Sequence, residues 1–368
     1  MSQTQPTNPH SDTTLSITGS PGLPEWLVAR NISLAFTTCQ TSRLFFLGVN
    51  EKGHLSASER HYDYATGLCL RDDSLFLATR YQIWRFENVL EPGQRFKGHD
   101  RLYIPREAIT TGDLDTHDLA CGAQGELFFV NTRYNCVAAV SDRYSFRPVW
   151  MPPFISELAP GNRCHLNGLA LRHGRPAYAT CCSASDSVSG WRDDRERGGL
   201  LFDIPSSEVI VRGLSMPHSP RIFRNRLWLH NAGTGEFGVV DEHAGRFEPV
   251  AFCPGFTRGL DFVGNTAVIG VSQPHGETRF QGPLLDTRLS NGEAPFCGLL
   301  FVDLSTGAVA HWVRLDGIIT DLFDVRVLDD SMHPMSMGFK TDEITHVITT
   351  KSKHESNVNI FLKTDHHS

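Results

Sequence analysis

A short unit of strands recurs along the chain, and three of its copies place a histidine just before an apolar strand. His165 follows His117 by 48 residues, and His218 follows His165 by 53. Repeats of roughly 40–50 residues with several short strands each are typical of β-propeller blades. The spacing therefore predicts three neighbouring blades that direct imidazoles toward one axis.

Further copies of the unit extend this pattern over most of the chain. Phe76-Leu-Ala-Thr-Arg80 matches Phe129-Val-Asn-Thr-Arg133, and five units of four strands fit between residues 66 and 314. Helical periodicity is nearly absent, and 32 glycines, 20 prolines and 23 phenylalanines suit a turn-rich β-structure. We predict an all-β protein, a six-bladed β-propeller; five or seven blades also fit the count.

The two ends of the repeat array predict how the ring closes. A sixth inner strand at residues 321–328 has no regular partners after it, whereas residues 32–61 contain three predicted strands. Because closure removes exposed sheet edges, we predict that residues 32–61 complete the blade that residues 321–328 begin. The predicted domains are a disordered tail over residues 1–22, one propeller over residues 23–330 and an extension of unclear order over residues 331–368.

Charge and composition exclude several kinds of partner. The chain carries 34 basic and 41 acidic residues, a net charge of −7, which argues against nucleic acid or an anionic membrane surface. No stretch approaches the roughly 20 apolar residues of a membrane span. The polar first residues lack a secretion signal, and the nine cysteines show no C-x-x-C spacing. We expect a cytoplasmic protein with reduced thiols, and the oligomeric state is left open.

One face of such a propeller is expected to collect polar residues, because inner strands start there and second strands end there. The metal-ligand candidates on this face are His117, His165, His218 and His275. The catalytic candidates are His230, Arg221, Arg258 and Asp118. The substrate-binding candidates are Arg80, Arg133, Asn131, Asn167, Asn231 and Gln273. Two long insertions, residues 183–198 and 272–296, have the length of lids or binding loops.

Three neutral imidazoles near one axis suit a divalent transition metal. The three inner-strand histidines share side-chain parity, since side chains of a strand alternate with a period of two. We expect iron or copper as the cofactor, while zinc or manganese also fits, with one coordination position open for water or substrate. Alternatively, each histidine forms hydrogen bonds across blades and plugs the channel. The arginines either anchor an anionic group or pair with Asp63, Asp115, Asp118 or Asp261.

Several motifs resemble those of a bacterial family of conserved hypothetical proteins that carry a domain of unknown function. They are Thr116-His117-Asp118, Cys164-His165-Leu-Asn167-Gly168-Leu, Met216-Pro-His218-Ser-Pro-Arg221, Leu229-His230-Asn231-Ala-Gly233-Thr-Gly235 and Phe256-Thr-Arg258-Gly259-Leu260. The resemblance covers residues 23–328 and implies a propeller-like fold without a particular reaction. The layout is also similar to that of carotenoid-cleaving oxygenases, propeller enzymes with four histidines on iron, although three histidines occupy comparable places here.

These features lead to three hypotheses about function. The first is a metal-dependent enzyme centred on the three histidines that acts on a small anionic or peptide-like substrate. Oxygenase or other oxidoreductase chemistry is slightly preferred over lyase or hydrolase chemistry for this enzyme. The second is a non-catalytic propeller that binds a ligand or a protein partner through the two insertions. The third is a metal-free hydrolase of sugars or esters that uses Asp115 and Asp118 as acid and base.

Overall fold

The computed structural model describes residues 14–273, 283–290, 292, 294–351 and 358–362. Within these residues, six antiparallel sheets have four propeller strands each, and two of the sheets gain a fifth strand. The innermost strands of neighbouring sheets contact one another around a closed ring. The protein is therefore a six-bladed β-propeller, which confirms the predicted fold class.

The first half of the chain forms blades 1 to 3 and part of blade 6. The chain begins with β1 (Leu15–Gly19), α1 (Leu23–Arg30), β2 (Ile32–Thr38), β3 (Arg43–Val49) and β4 (Leu55–His61). Blade 1 consists of β5 (Leu68–Arg71), β6 (Ser74–Ala78), β7 (Gln82–Asn88) and β8 (Arg101–Thr110). Blade 2 consists of β9 (Thr116–Cys121), β10 (Leu127–Asn131), β11 (Cys136–Ala139) and β12 (Arg147–Trp150). Blade 3 consists of β13 (Leu166–Arg172), β14 (Arg175–Cys181), β15 (Gly199–Asp203) and β16 (Glu208–Leu214).

The second half forms blades 4 and 5 and completes blade 6. Blade 4 consists of β17 (Pro217–Phe223), β18 (Arg226–Asn231), β19 (Glu236–Asp241) and β20 (Arg246–Phe252). Blade 5 consists of β21 (Phe256–Val263), β22 (Thr266–Ser272), β23 (Gly298–Asp303) and β24 (Val309–Gly317), with α2 (Pro283–Ser290) between β22 and β23. The chain continues with β25 (Val325–Asp329), β26 (Pro334–Ser336), α3 (Glu343–His346), β27 (Val347–Lys351) and β28 (Val358–Leu362). Among the described residues, no helix has the length and apolar character needed to cross a bilayer.

Strands from both ends of the chain close the ring in blade 6, as predicted. β2 pairs antiparallel with β25, with Ile32 opposite Asp329 and Phe36 opposite Val325, and β3 and β4 follow outward. Every residue of β2 is buried. Because β25 has a partner, the ring leaves no open edge at the point where the chain ends meet.

The predicted disordered tail over residues 1–22 is wrong from Leu15 onward. β1 adds a fifth strand to blade 5 by pairing with β24, with Leu15 opposite Gly317. Leu15 and Ile17 pack against the core between blades 5 and 6, since alternate residues of a strand share one face. α1 then buries Leu23 and Leu27 in the same core. Residues 1–13 lie outside the described residues.

The extension after residue 330 is partly built into the propeller. β26 joins blade 1 as a parallel fifth strand beside β8, with Pro334 opposite Arg101. His333, just before this strand, stacks on His99 with ring centroids 3.9 Å apart. β27 and β28 pair as a separate antiparallel hairpin. The propeller sheets therefore extend beyond the predicted end of the domain.

Deletion of residues 1–42 is expected to yield insoluble protein. The deletion removes β1, α1 and β2, so it leaves β25 without a partner, exposes one edge of β3 and uncovers the apolar core around Phe45. Unpaired strand edges are templates for aggregation. The measurement is the soluble fraction after expression, with a chain that lacks only residues 1–13 as the control. Soluble, folded protein from the longer deletion would contradict the closure of blade 6 by β2.

Candidate functional site

The three inner-strand histidines meet at one end of the central channel. The ring centroids of His117 and His165 lie 4.8 Å apart, and each lies 6.5 Å from that of His218. All three are buried, with 7%, 7% and 3% of the residue surface exposed. The repeat spacing thus identified residues that are neighbours in space.

Left-handed backbone residues precede two of these histidines. Asp115 and Met216, each two residues before a histidine, have φ angles of 52° and 46°. Their carbonyl oxygens accept hydrogen bonds of 2.9 Å from Nδ1 of His117 and His218. Non-glycine residues with positive φ are uncommon and cluster at functional sites. The same local arrangement therefore orients a histidine in blades 2 and 4.

His165 is oriented by a side chain instead. Its own φ is 52°, and its Nδ1 lies 3.0 and 3.1 Å from the amide nitrogen and oxygen of Asn162. In all three histidines a neighbour thus occupies Nδ1, so Nε2 is the nitrogen that would bind an ion. Histidine ligands in proteins usually have their second ring nitrogen oriented by such a hydrogen bond.

Burial keeps the imidazoles of His165 and His218 neutral. The pKa values of His165 and His218 lie well below the usual histidine value, mainly because burial penalises the charged form. The neighbouring His117 lowers the pKa of His165 further, and Arg258 does so for His218. Neutral imidazole is the form that binds metals. Nε2 of His218 is buried and has no hydrogen-bond partner among the described residues, and such an atom in a native site needs an explanation.

The rings stand farther apart than a bound metal would hold them. Imidazoles bound tetrahedrally to one ion through bonds of about 2.0–2.1 Å have ring centroids roughly 5 Å apart. The pair His117 and His165 meets this distance, whereas both distances to His218 exceed it. Accordingly, no group of three or more His, Cys, Asp or Glu side chains in the described part of the chain has an arrangement that could hold a metal ion. The ring of His218 would have to move inward to complete a centre.

A pocket of about 50 Å³ lies beside His117 and His165. Seven of its lining residues were not among the predicted site residues: Cys39, Tyr64, Asn162, Trp191, Arg192, Met216 and Phe323. Tyr64 and Phe323 lie shortly before the inner strands of blades 1 and 6. The histidines were identified because they lie at the start of inner strands. The same criterion, applied to every blade, would have identified Tyr64 and Phe323. Trp191 lies in an insertion, where the repeat gives no signal.

Arg258 is the predicted arginine that lines this pocket. It is buried, and its guanidinium carbon lies 5.2 Å from the ring centroid of Phe256 and 4.7 Å from that of Phe323. Burial lowers the pKa of Arg258, although arginine remains charged in proteins at ordinary pH. The site thus combines a buried cation with the neutral imidazoles of His165 and His218 and the buried ring of His117.

Two other predicted arginines form ion pairs at the surface. Nε of Arg80 lies 3.0 Å from the carboxylate of Asp63, one of the alternatives that the sequence left open. Nη2 of Arg133 lies 2.7 Å from the carboxylate of Asp113. Both arginines are partly exposed, and neither lines the pocket beside the histidines within the described residues.

Asp118 and Arg221 form an ion pair away from this pocket. Two nitrogens of Arg221 donate to the two carboxylate oxygens of Asp118 at 2.8 and 2.9 Å. The same carboxylate accepts a 3.0 Å hydrogen bond from the backbone N–H of Leu169 in the next blade. Arg221 lines a second pocket of about 310 Å³, because it lies farther along β17 than His218 does. The structure thus places Arg221 away from the predicted mouth and gives Asp118 a contact between blades.

The remaining candidates form hydrogen bonds within and between blades. Side-chain oxygens of three of them accept from neighbouring donors: Asn131 from the N–H of Tyr134, Asn231 from the N–H of Ser215, and Asn167 from the hydroxyl of Thr180. Nε2 of His230 donates to the carbonyl of Gly259, and burial lowers the pKa of His230 to about 4. The backbone N–H of Gln273 donates to the carbonyl of Thr320. His275 lies outside the described residues.

Three solved structures are similar to this chain, and the first of them supports the propeller architecture. A chain of a nidogen–laminin complex is similar over 81% of this chain and 99% of its own length, with 12% identity and a TM-score of 0.51. A protein of unknown function from Bacteroides caccae is similar over 81% and 98%, with 10% identity and a TM-score of 0.47. Virginiamycin B lyase from Staphylococcus aureus is similar over 82% and 99%, with 10% identity and a TM-score of 0.39. At 12% identity, the similarity to the chain of the nidogen–laminin complex supports the fold alone. No protein with a curated description matches the chain.

The family comparison covers the whole ring. One family model matches residues 21–337, a range that contains the inner strands of all six blades and the three histidines. The description of that family is a domain of unknown function, in agreement with the resemblance that the sequence motifs indicated. The chain therefore belongs to the family described as domain of unknown function DUF4915.

Proposed function

We propose that this protein is a metal-dependent enzyme whose ion is held by His117, His165 and His218 after the ring of His218 has moved inward. The proposal rests on the hydrogen bonding of the ring nitrogens of these histidines. Each Nδ1 is occupied by a carbonyl or an amide group, and the Nε2 of His218 is buried without a partner among the described residues. A buried imidazole nitrogen of this kind is a suitable ligand for a borderline divalent metal.

We favour iron or copper as the ion, with zinc or manganese as alternatives. Three imidazole ligands would leave a coordination position open, and an ion held there would polarise a bound substrate or activate oxygen or water. Oxidoreductase chemistry, including that of oxygenases, is slightly preferred, and lyase or hydrolase chemistry is the alternative. The substrate is a small anionic molecule or a peptide-like compound.

The other residues of the pocket suit substrate binding and proton transfer. The guanidinium of Arg258 is a buried donor for a carboxylate or a similar anion. The thiol of Cys39 donates a 2.8 Å hydrogen bond to the carboxylate of Asp321. Burial raises the pKa of Asp321, which brings this carboxyl group closer to the range in which it can exchange a proton at neutral pH.

A non-catalytic propeller that binds a small ligand is the second candidate. The arrangement of the rings favours it, because no described group of side chains is placed to hold a metal without movement. A cytoplasmic location suits both candidates, since none of the nine cysteines forms a disulfide and reduced thiols persist in reducing compartments.

Elemental analysis of protein purified without an affinity tag separates the two candidates. After reconstitution with iron(II), copper, zinc or manganese and removal of free metal, we expect about one ion per chain, as for a single three-histidine site. The measurement is mass spectrometry with inductively coupled plasma ionisation. Protein that retains no metal after any of these treatments would contradict the enzyme proposal and favour the binding module.

A further inference from the structure

The pocket that Arg221 lines is at the opposite end of the central channel from the three histidines. It has a volume of about 310 Å³, and each of the six inner strands contributes at least one residue to its lining. On β9, Ala120 lines this pocket three residues after His117, and on β17, Ile222 lines it four residues after His218. At about 3.3 Å per residue, the pocket lies roughly 10 Å along the channel from the histidines. We call it the far pocket.

One side of the far pocket is apolar. Among the described residues, blades 1 to 3 contribute only apolar side chains and the thiol of Cys69 to its lining, which includes Leu70, Leu119 and Leu171. Leu70 and Leu171 are partly exposed, so a ligand that covers them would remove apolar surface from water. Burial of apolar surface is favourable in most binding reactions.

Asp261 supplies a carboxylate on the other side of the far pocket. Its two oxygens accept hydrogen bonds of 2.9 and 2.8 Å from the backbone N–H groups of Phe262 and Val327, and it forms no ion pair with the described side chains. The guanidinium groups of Arg221 and Arg326, which also line the pocket, pair with other carboxylates. A carboxylate has about four acceptor positions. Asp261 can therefore still accept from a cationic group such as an ammonium.

Arg326 has donors that the protein leaves unused. Its Nη1 donates to the carboxylate of Asp324 and to the carbonyls of Leu260 and Val325. In the described part of the chain, its Nε and Nη2 form no hydrogen bond, and Nη2 lies 3.8 Å from the carboxylate of Asp118, beyond hydrogen-bond distance. Arg326 is 7% exposed, and a buried donor without an acceptor is unfavourable. A carboxylate bound in the pocket would supply the acceptor.

We propose that the far pocket binds a free apolar α-amino acid. The carboxylate of the amino acid accepts from the guanidinium of Arg326, its ammonium donates to Asp261, and its side chain lies against the leucines of blades 1 to 3. A pocket of about 310 Å³ holds roughly ten water-sized groups, which is the size of leucine or methionine. The proposal goes beyond the proposed function and does not depend on the metal centre, because the two sites lie at different ends of the channel.

The test is isothermal titration calorimetry of the full chain with leucine and with analogues that each lack one feature. 4-Methylpentanoate lacks the ammonium, 3-methylbutylamine lacks the carboxylate, and glycine lacks the apolar side chain. We expect leucine to bind and each analogue to bind at least about tenfold more weakly, because each loses a charge-assisted hydrogen bond or the apolar burial. Equal affinities of leucine and 4-methylpentanoate would overturn the role of Asp261. No binding of leucine, methionine or phenylalanine at millimolar concentrations would overturn the site.

The variant Asp261→Asn tests the ammonium contact from the side of the protein. It should weaken the binding of leucine about tenfold or more, as expected for the loss of a hydrogen bond to a charged group. The affinity for 4-methylpentanoate should stay the same or rise, because the variant removes a carboxylate that repels this anion. Equal weakening of both ligands would show a merely structural role of Asp261 and would overturn the contact.

A substitution that fills the far pocket is the second variant. Ala120→Phe places a ring where the amino acid would lie, so it should abolish the binding of leucine. The matched control is Ala108→Phe, since Ala108 is exposed on β8 and lies outside the lining of the far pocket; this variant should bind leucine like the wild type. Circular dichroism verifies that both variants fold. Binding of leucine to folded Ala120→Phe with the affinity of the wild type would overturn the location of the site.

Discussion

Replacement of His218 by alanine is expected to reduce the metal content of the reconstituted protein from about one ion per chain to background, because a site with two remaining imidazoles holds a divalent ion poorly. Nδ1 of His218 donates to the carbonyl of Met216, which leaves Nε2 as the nitrogen that would bind the ion. We expect the same loss for His117→Ala and His165→Ala. The measurement is the metal content of each purified variant, together with circular dichroism to verify folding.

The matched controls are His173→Ala and His243→Ala. Both histidines are exposed and lie in turns, so neither replacement should change the metal content. A folded His218→Ala variant that retains its metal would exclude this histidine as a ligand. Metal loss in the two control variants would show that the ion is bound outside the proposed centre.

Replacement of Asp118 by alanine is expected to lower the free energy of unfolding by about 3 kcal/mol, since removal of one partner of a buried ion pair leaves an uncompensated charge. Arg221 would lose both of its hydrogen bonds to the carboxylate, and the N–H of Leu169 would lose its acceptor. Asp324 remains 3.9 Å from Arg221, so we expect the lower end of the range for such pairs. The measurement is equilibrium denaturation followed by tryptophan fluorescence.

Asp63→Ala is the comparison for this effect. Asp63 pairs with Arg80 at the surface, and loss of an exposed pair costs about 1 kcal/mol or less. Equally small losses for both variants would contradict the role of Asp118 in holding the blades together. Loss of metal from folded Asp118→Ala would instead support the prediction from the sequence that Asp118 belongs to the catalytic site.

The fold was predictable because its signals are local. Strands of one blade follow each other in the chain with short turns, so alternation of side chains and turn residues are enough to mark them. β1 was missed, although Leu15 and Ile17 alternate with polar residues. A lone strand of five residues is stable only when paired, and its partner β24 lies at the other end of the chain.

The sequence by itself determined which blades present a histidine at the channel, because every inner strand begins at the same face of a propeller and strand parity sets the direction of its side chains. It did not determine how the charged and aromatic residues meet. Asp118 and Arg221 are 103 residues apart, and Trp191 reaches His165 from an insertion without a repeat pattern. Such contacts depend on how whole blades and loops pack against each other. The local periodicity of the sequence carries no information about that packing. The tertiary structure therefore decided that Arg221 neutralises Asp118, that Arg258 lies beside the imidazoles and that an indole stacks on His165.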